Sequence, residues 1–188
     1  PNIRWLGYLR SLPLTKLRLR SCAQVTDLRA LHNLPLTGLE IVVCREVTDL
    51  TPLHGLPLTY LRLNASTGIT DLAPLHDMPL NYLSCGNNQV RDLSPLQGIP
   101  LECLFAGVNR IISLEPLAGM PMTRLDISRN RVERLDPLRG MPLRILNMEN
   151  NTVSSIVPIE GMPLAHLNSS QNHIASLEPL CDIPAHTL

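Results

Sequence analysis

The side chains best suited to chemistry in this chain recur at a fixed spacing. His32, His54 and His76 lie 22 residues apart, and Asp27, Asp49 and Asp71 share that interval. Imidazoles are good zinc ligands, but a zinc site needs three or four donors converging on one point. Equal spacing puts these histidines in single file instead, so no metal is expected. The aspartates and the residues that continue their series, Asp92, Ser113, Ser155 and Ser176, are helix-capping types, with Arg134 the one exception. That assigns them to caps and leaves them no catalytic part. The five cysteines, at positions 22, 44, 85, 103 and 181, form no Cys-x-x-Cys pair. Stacking would bring Cys22 and Cys44 near enough for a disulfide, although buried reduced thiols are the plainer reading of an odd count. The Asn-x-Ser/Thr sequons at Asn64, Asn150 and Asn168 are read as chance matches. No phosphate-binding loop, dinucleotide fingerprint, His-Glu-x-x-His or Gly-x-Ser-x-Gly occurs. The chain is therefore expected to be non-catalytic and to carry no cofactor.

What spaces these residues is a repeat. Xaa-Pro pairs at Leu12-Pro13, Leu34-Pro35, Leu56-Pro57, Met78-Pro79, Ile99-Pro100, Met120-Pro121, Met141-Pro142, Met162-Pro163 and Ile183-Pro184 are 22 residues apart three times and then 21 apart five times. Sixteen of the 17 prolines fall in two slots of this period. A unit of this size buries its apolar face only by stacking on its neighbours, which defines a solenoid. Alternation around Leu17 and Leu19 predicts a short strand with those leucines inward and Lys16, Arg18 and Arg20 outward. Stacked units then share a parallel sheet in which each slot becomes a column of side chains. Asn88, Asn109, Asn130, Asn151 and Asn172 form one structural column, where a buried amide can satisfy backbone of its own turn and of the next rung. Cys22, Cys44 and Ser66 hold that slot in the first three units, with one extra residue before Val25, Val47 and Ile69. From Asp49 onward a proline three positions after this slot forbids a long helix there, so single 3₁₀ turns are expected.

The run Met122, Leu125, Ile127, Asn130, Val132, repeated as Leu143, Leu146, Met148, Asn151, Val153, resembles the leucine-rich repeat family over essentially the whole chain. The half-repeats Asp49-Leu50-Thr51-Pro52-Leu53 and Asp92-Leu93-Ser94-Pro95-Leu96 look like its short bacterial-type class, internalin-like or phosphatase-regulator-like. The expected fold is an α/β-type repeat solenoid, a right-handed coil with a parallel concave sheet, a convex side of 3₁₀ segments and turns, and few or no long helices. A single domain spans 1–188, with full repeats at 12–33, 34–55, 56–77, 78–98, 99–119, 120–140, 141–161 and 162–182 and partial repeats at both ends. Because neither end has an evident polar cap, the chain is expected to be a piece of a longer protein, with Trp5 covering the first rung.

Function in such a coil falls to the outward strand positions, since the inward ones are committed to packing. One outward column reads Lys16, Gly38, Tyr60, Tyr82, Cys103, Arg124, Ile145, His166, and the next reads Arg18, Glu40, Arg62, Ser84, Phe105, Asp126, Asn147, Asn168. Tyr60, Tyr82 and Phe105 are three of only five aromatic residues, and they sit on adjacent rungs of this face. Aromatic side chains anchor protein interfaces, so the expected partner surface is Tyr60, Tyr82, Phe105 and Cys103, rimmed by Arg18, Arg62, Arg124 and Asp126. Gly86 and Gly107 are expected to leave a partner room to approach. The competing reading is that these aromatics pair across strands without any partner. Lys16, Arg18 and Arg20, with Glu40 between Arg18 and Arg62, read as a solvated basic face.

Sixteen basic and 16 acidic residues give zero formal charge, which argues against a nucleic-acid binder held by a general field. No apolar run is long enough for a membrane span. The resemblance implies a protein-interaction module, expected to be monomeric and to bind another protein. The alternatives are a sensor or recruiting arm of a larger kinase-type or ubiquitin-ligase-type enzyme, and a structural spacer. The cytoplasm is favoured over the cell surface.

Overall fold

Each repeat contributes one short strand, and the strands stack in chain order. The structure, a computed structural model, describes residues 5–65 and 68–181. Ser66 and the ninth unit opening at Ile183 lie outside the described residues. The strands are β1 (Lys16–Arg20), β2 (Gly38–Val42), β3 (Tyr60–Arg62), β4 (Tyr82–Ser84), β5 (Cys103–Phe105), β6 (Arg124–Asp126), β7 (Ile145–Asn147) and β8 (His166–Asn168). They form one eight-stranded parallel sheet in the order β1 to β8. The register pairs Leu17 with Leu39, Leu39 with Leu61, and so on through Leu146 with Leu167. The inner rungs of that leucine column are sealed, while Leu17 and Leu167 at its two ends are only partly buried. Each sealed leucine is worth roughly 1.5–3 kcal/mol relative to exposure, so the column is a main source of cohesion between units.

The chain returns along the convex side through single 3₁₀ turns, from Gly7–Ser11 through three-residue turns such as Thr51–Leu53 and Ser94–Leu96 to Glu178–Leu180. From Pro52 onward each turn carries a proline in its opening positions, where the missing donor leaves nothing unmade. No long helix occurs among the described residues, as the proline slot predicts. The capping series lies one residue further out than expected. The N-cap positions are Leu28, Leu50, Leu72 and Leu93, none with a side-chain cap bond. The Asp27, Asp49, Asp71 and Asp92 carboxylates instead accept the N–H two residues on, each at 2.8 Å. Ser113, Ser155 and Ser176 accept the corresponding N–H at 3.1–3.4 Å. These are Asx and Ser turns that start the bend, so a proline three residues later falls inside the turn. Where Arg134 breaks the series, its guanidinium pairs with Asp136 at 3.1 Å.

The asparagine column reaches backwards along the coil, not forwards. Asn151 Nδ2 donates to the Ile127 carbonyl of the preceding rung at 2.9 Å and to Met148 of its own at 3.0 Å, while its Oδ1 accepts Val132 N–H of the preceding rung at 2.9 Å. Asn109, Asn130 and Asn172 repeat this pattern. The forward expectation fails because each asparagine follows its own strand and its amide faces the turn already laid down. In the early rungs a thiol stands in for the amide: Cys44 Sγ donates to Leu19 O and Val42 O, each at 3.6 Å. A thiol cannot serve the N–H that Oδ1 would take. The extra residue of these units meets that need locally, closing Val25 N–H onto Cys22 O and Val47 N–H onto Cys44 O at 3.1 Å. Cys22 and Cys44 are buried free thiols, not a disulfide. Asn88, the first asparagine after the longer units, keeps its Nδ2 bonds, but its buried Oδ1 has no partner.

Trp5 does not cover the first rung. It is 65% exposed and packs edge-to-face on Tyr8 at 4.8 Å, while Leu6 fills the core below it. After each strand the chain turns through a left-handed residue, and Val43 and Val108 occupy that slot at φ 57° and 59°. A β-branched side chain is strained there.

Asn151→Ala is expected to lower stability in urea unfolding by about 2–4 kcal/mol, since it strands several buried groups. Asn88→Ala should cost less, because its Oδ1 has nothing to lose; equal losses would remove the Oδ1 bond from the account. Val108→Asn, placing at that slot the residue type found at Asn87 and Asn150, should raise stability by about 1 kcal/mol.

Candidate functional site

The concave sheet presents two outward columns along its whole length and a third where β1 and β2 are longer, and its aromatic residues meet at the middle rungs. Tyr60 and Tyr82 are register partners on β3 and β4, and their rings stack with centroids 4.5 Å apart and planes 15° apart. Phe105 lies one column over on β5, so its ring meets Tyr82 diagonally at 5.5 Å and 40°. All three remain partly exposed. The cross-strand pairing weighed in the sequence is thus present, and it leaves an aromatic strip facing solvent. Cys103 pairs with Tyr82 in register and is half-buried beside it. Arg124 and Asp126 follow on β6 opposite Cys103 and Phe105. The Asp126 carboxylate accepts Ser128 N–H at 2.9 Å, which turns it toward its own loop. Arg18 is two rungs away from this group and engaged elsewhere.

Arg18 Nε and Arg20 Nη2 grip the two oxygens of Glu40, at 3.1 and 2.7 Å. Glu40 is only 5% exposed although it points out of the sheet, because the two arginines lie over it. The Arg20 hydrogen bond holds its carboxyl below the usual range, with the positive charges of Arg18, Arg20 and Arg62 adding to the effect. Burial pushes the Tyr82 phenol above its ordinary value. Among the described residues Arg62 makes no ion pair, and its Nε is buried without a hydrogen-bond partner.

Two shallow hollows open on the face. One, of about 330 Å³, lies over Gly38 between Lys16, Arg18, Glu40 and Tyr60. The other, of about 280 Å³, is walled by Arg62, Tyr82, Phe105, Val108 and Asp126. Gly86 and Gly107 line the second hollow, but a partner's approach is not what requires glycine there. A Cβ on Gly86 would sit 3.1 Å from the Gly107 carbonyl, and one on Gly107 would sit 2.7 Å from Ser128 Oγ. The next rung itself demands the small residue. Gly38 is different: its Cβ would meet only the flexible Lys16 side chain, at 3.4 Å. The Gly38 gap is visible in the outward column, but the Arg18 and Arg20 grip on Glu40 at its wall is not something spacing reveals.

His32, His54 and His76 are exposed in single file behind the 3₁₀ turns, and His76 Nδ1 lies 2.8 Å from Asp77. The described residues include no group of three side chains placed to hold a metal, and no helix long and apolar enough to cross a membrane.

No family model matches the chain, and no curated protein does. Solved structures do. Internalin C2 from Listeria monocytogenes is 29% identical with a TM-score of 0.72, over 85% of this chain and 71% of that one. Internalin F of the same species is 22% identical with a TM-score of 0.71, over 100% of this chain and 70% of that one. The functional domain of InlJ from Listeria monocytogenes, which includes a cysteine ladder, is 22% identical with a TM-score of 0.54, over 90% and 47%.

The Glu40 clasp makes a pH prediction. A depressed folded-state pKa contributes stability that is present above the ordinary carboxylate pKa and is lost as pH falls through the lower value. Urea midpoints of the wild type and Glu40→Gln should therefore differ at neutral pH and converge below about pH 4. A constant gap across that range would remove the charge from the interaction.

Proposed function

This chain is a leucine-rich repeat solenoid of internalin-like form, and on that premise we propose that it is a non-catalytic module that binds another protein through its concave sheet. The observation that carries the reading is the partly exposed aromatic strip of Tyr60, Tyr82 and Phe105, where solvent would favour polar side chains. The rings are already stacked on one another, so little side-chain freedom remains to be lost when a partner covers them. The sheet beneath is rigid because its inward leucines are sealed. Cys103 and Arg124 extend the surface on the C-terminal side, and Arg62 and the Arg18–Glu40–Arg20 clasp bound it on the other. Three sets of titratable groups have other roles or settings: the aspartates start turns, the histidines lie apart on the convex edge, and the Cys85 thiol is pushed up to about 12 by burial.

A pull-down from source lysate with the wild-type chain and a Tyr60→Ala/Tyr82→Ala variant tests the reading. Both tyrosines are outward, so the variant should keep the wild-type circular dichroism spectrum. A protein retained by the wild type is expected to be lost by the variant, by tenfold or more if the rings are central anchors. Equal retention by both would move the binding surface off this strip.

A further inference from the structure

Charge is distributed unevenly over the concave face. The outward positions of β1 to β3 carry four cations, Lys16, Arg18, Arg20 and Arg62, against one carboxylate, Glu40, in a chain of zero formal charge. Arg18 and Arg20 are both spent on Glu40. Lys16 and Arg62 have no ion pair among the described residues, and they stand on either side of Tyr60. Lys16 borders the hollow over Gly38, whose other wall is Tyr60, and Arg62 borders the hollow walled by Tyr82 and Phe105. The Arg62 Nε is buried without a hydrogen-bond partner, so its guanidinium is incompletely satisfied in the free chain. Beyond Phe105 the cationic excess disappears, with Arg124 and Asp126 together on β6 and Glu149 lying 3.8 Å from Arg129.

We propose that the partner presents an extended acidic segment across β1 to β5, with carboxylate side chains seated against Lys16 over Gly38 and against Arg62, and an apolar side chain lying on the Tyr82–Phe105 strip. The assignment rests on the protein-binding reading above. It favours a peptide over a single-stranded nucleic acid for two reasons. Tyr60 and Tyr82 are closed on each other at 4.5 Å and leave no slot for a base, and the cationic excess stops at β3, so no continuous positive track follows the face for a phosphate backbone. Carboxylates spaced to meet two cations also fix the direction and register of the bound segment.

A displayed library of random short peptides, panned in parallel on the wild-type chain and on Lys16→Ala/Arg62→Gln, tests the assignment. The wild type should enrich peptides that combine Asp or Glu with an apolar or aromatic residue, and the variant should lose the acidic preference. An enriched peptide should bind the variant about tenfold more weakly in fluorescence anisotropy, and its affinity for the wild type should fall as salt rises. Gly38→Tyr, whose Cβ would meet only the Lys16 side chain, should fill the first hollow and weaken the same peptide while the melting temperature holds. Neutral or basic consensus peptides, no enrichment, or the same peptides on both chains would overturn the assignment, as would tyrosine-dependent binding of a mixed-sequence single-stranded oligonucleotide. A partner that needs Tyr60 and Tyr82 but binds Lys16→Ala/Arg62→Gln normally would remove the acidic segment and leave the protein-binding reading standing.

Discussion

Every rung of this coil has to satisfy the backbone of the rung before it, within the roughly 4.8 Å that separates hydrogen-bonded strands. That requirement governs the rest of the molecule. It keeps the strands parallel and in register, turns each sequence slot into a column, and leaves each turn with buried N–H and C=O groups that strand pairing alone does not reach. The asparagine amide meets the need with Nδ2 and Oδ1 together, one donating and one accepting across the same gap. The leucines supply cohesion, but they would tolerate other spacings; the polar column would not.

The first rungs solve the same problem differently. A thiol can donate weakly but cannot accept the neighbouring N–H as an amide does, so an additional residue lets that N–H bond within its own turn. Change of residue type and change of repeat length are thus one adjustment. A similar economy appears on the outer surface, where the aspartates and serines open each bend and the prolines that follow need no partner for a donor they lack.

The columns were legible because they follow from counting. A period, an alternation and a strand spacing suffice to place Tyr60 beside Tyr82, Cys103 beside Tyr82 and Arg62 beside Glu40. What counting leaves open is the backbone's phase within the unit. The aspartates therefore sit one residue outside the expected cap, and the asparagines reach back instead of forward. Side-chain reach is equally invisible to a period. Gly86 and Gly107 look like open space in a list of residues, yet their neighbours fill that space, whereas over Gly38 only the Lys16 side chain comes near. Trp5 reads as a lid by size alone but lies on Tyr8.

The unsatisfied Oδ1 of Asn88 marks where the two solutions meet. On one side the units close their own turns; on the other each unit depends on its successor's amide. The seam resembles a dislocation between two crystals grown on a common face, continuous in its leucines and mismatched in its polar bonds. That plane lies between the rungs of Tyr60 and Tyr82, so the aromatic strip bridges the two solutions.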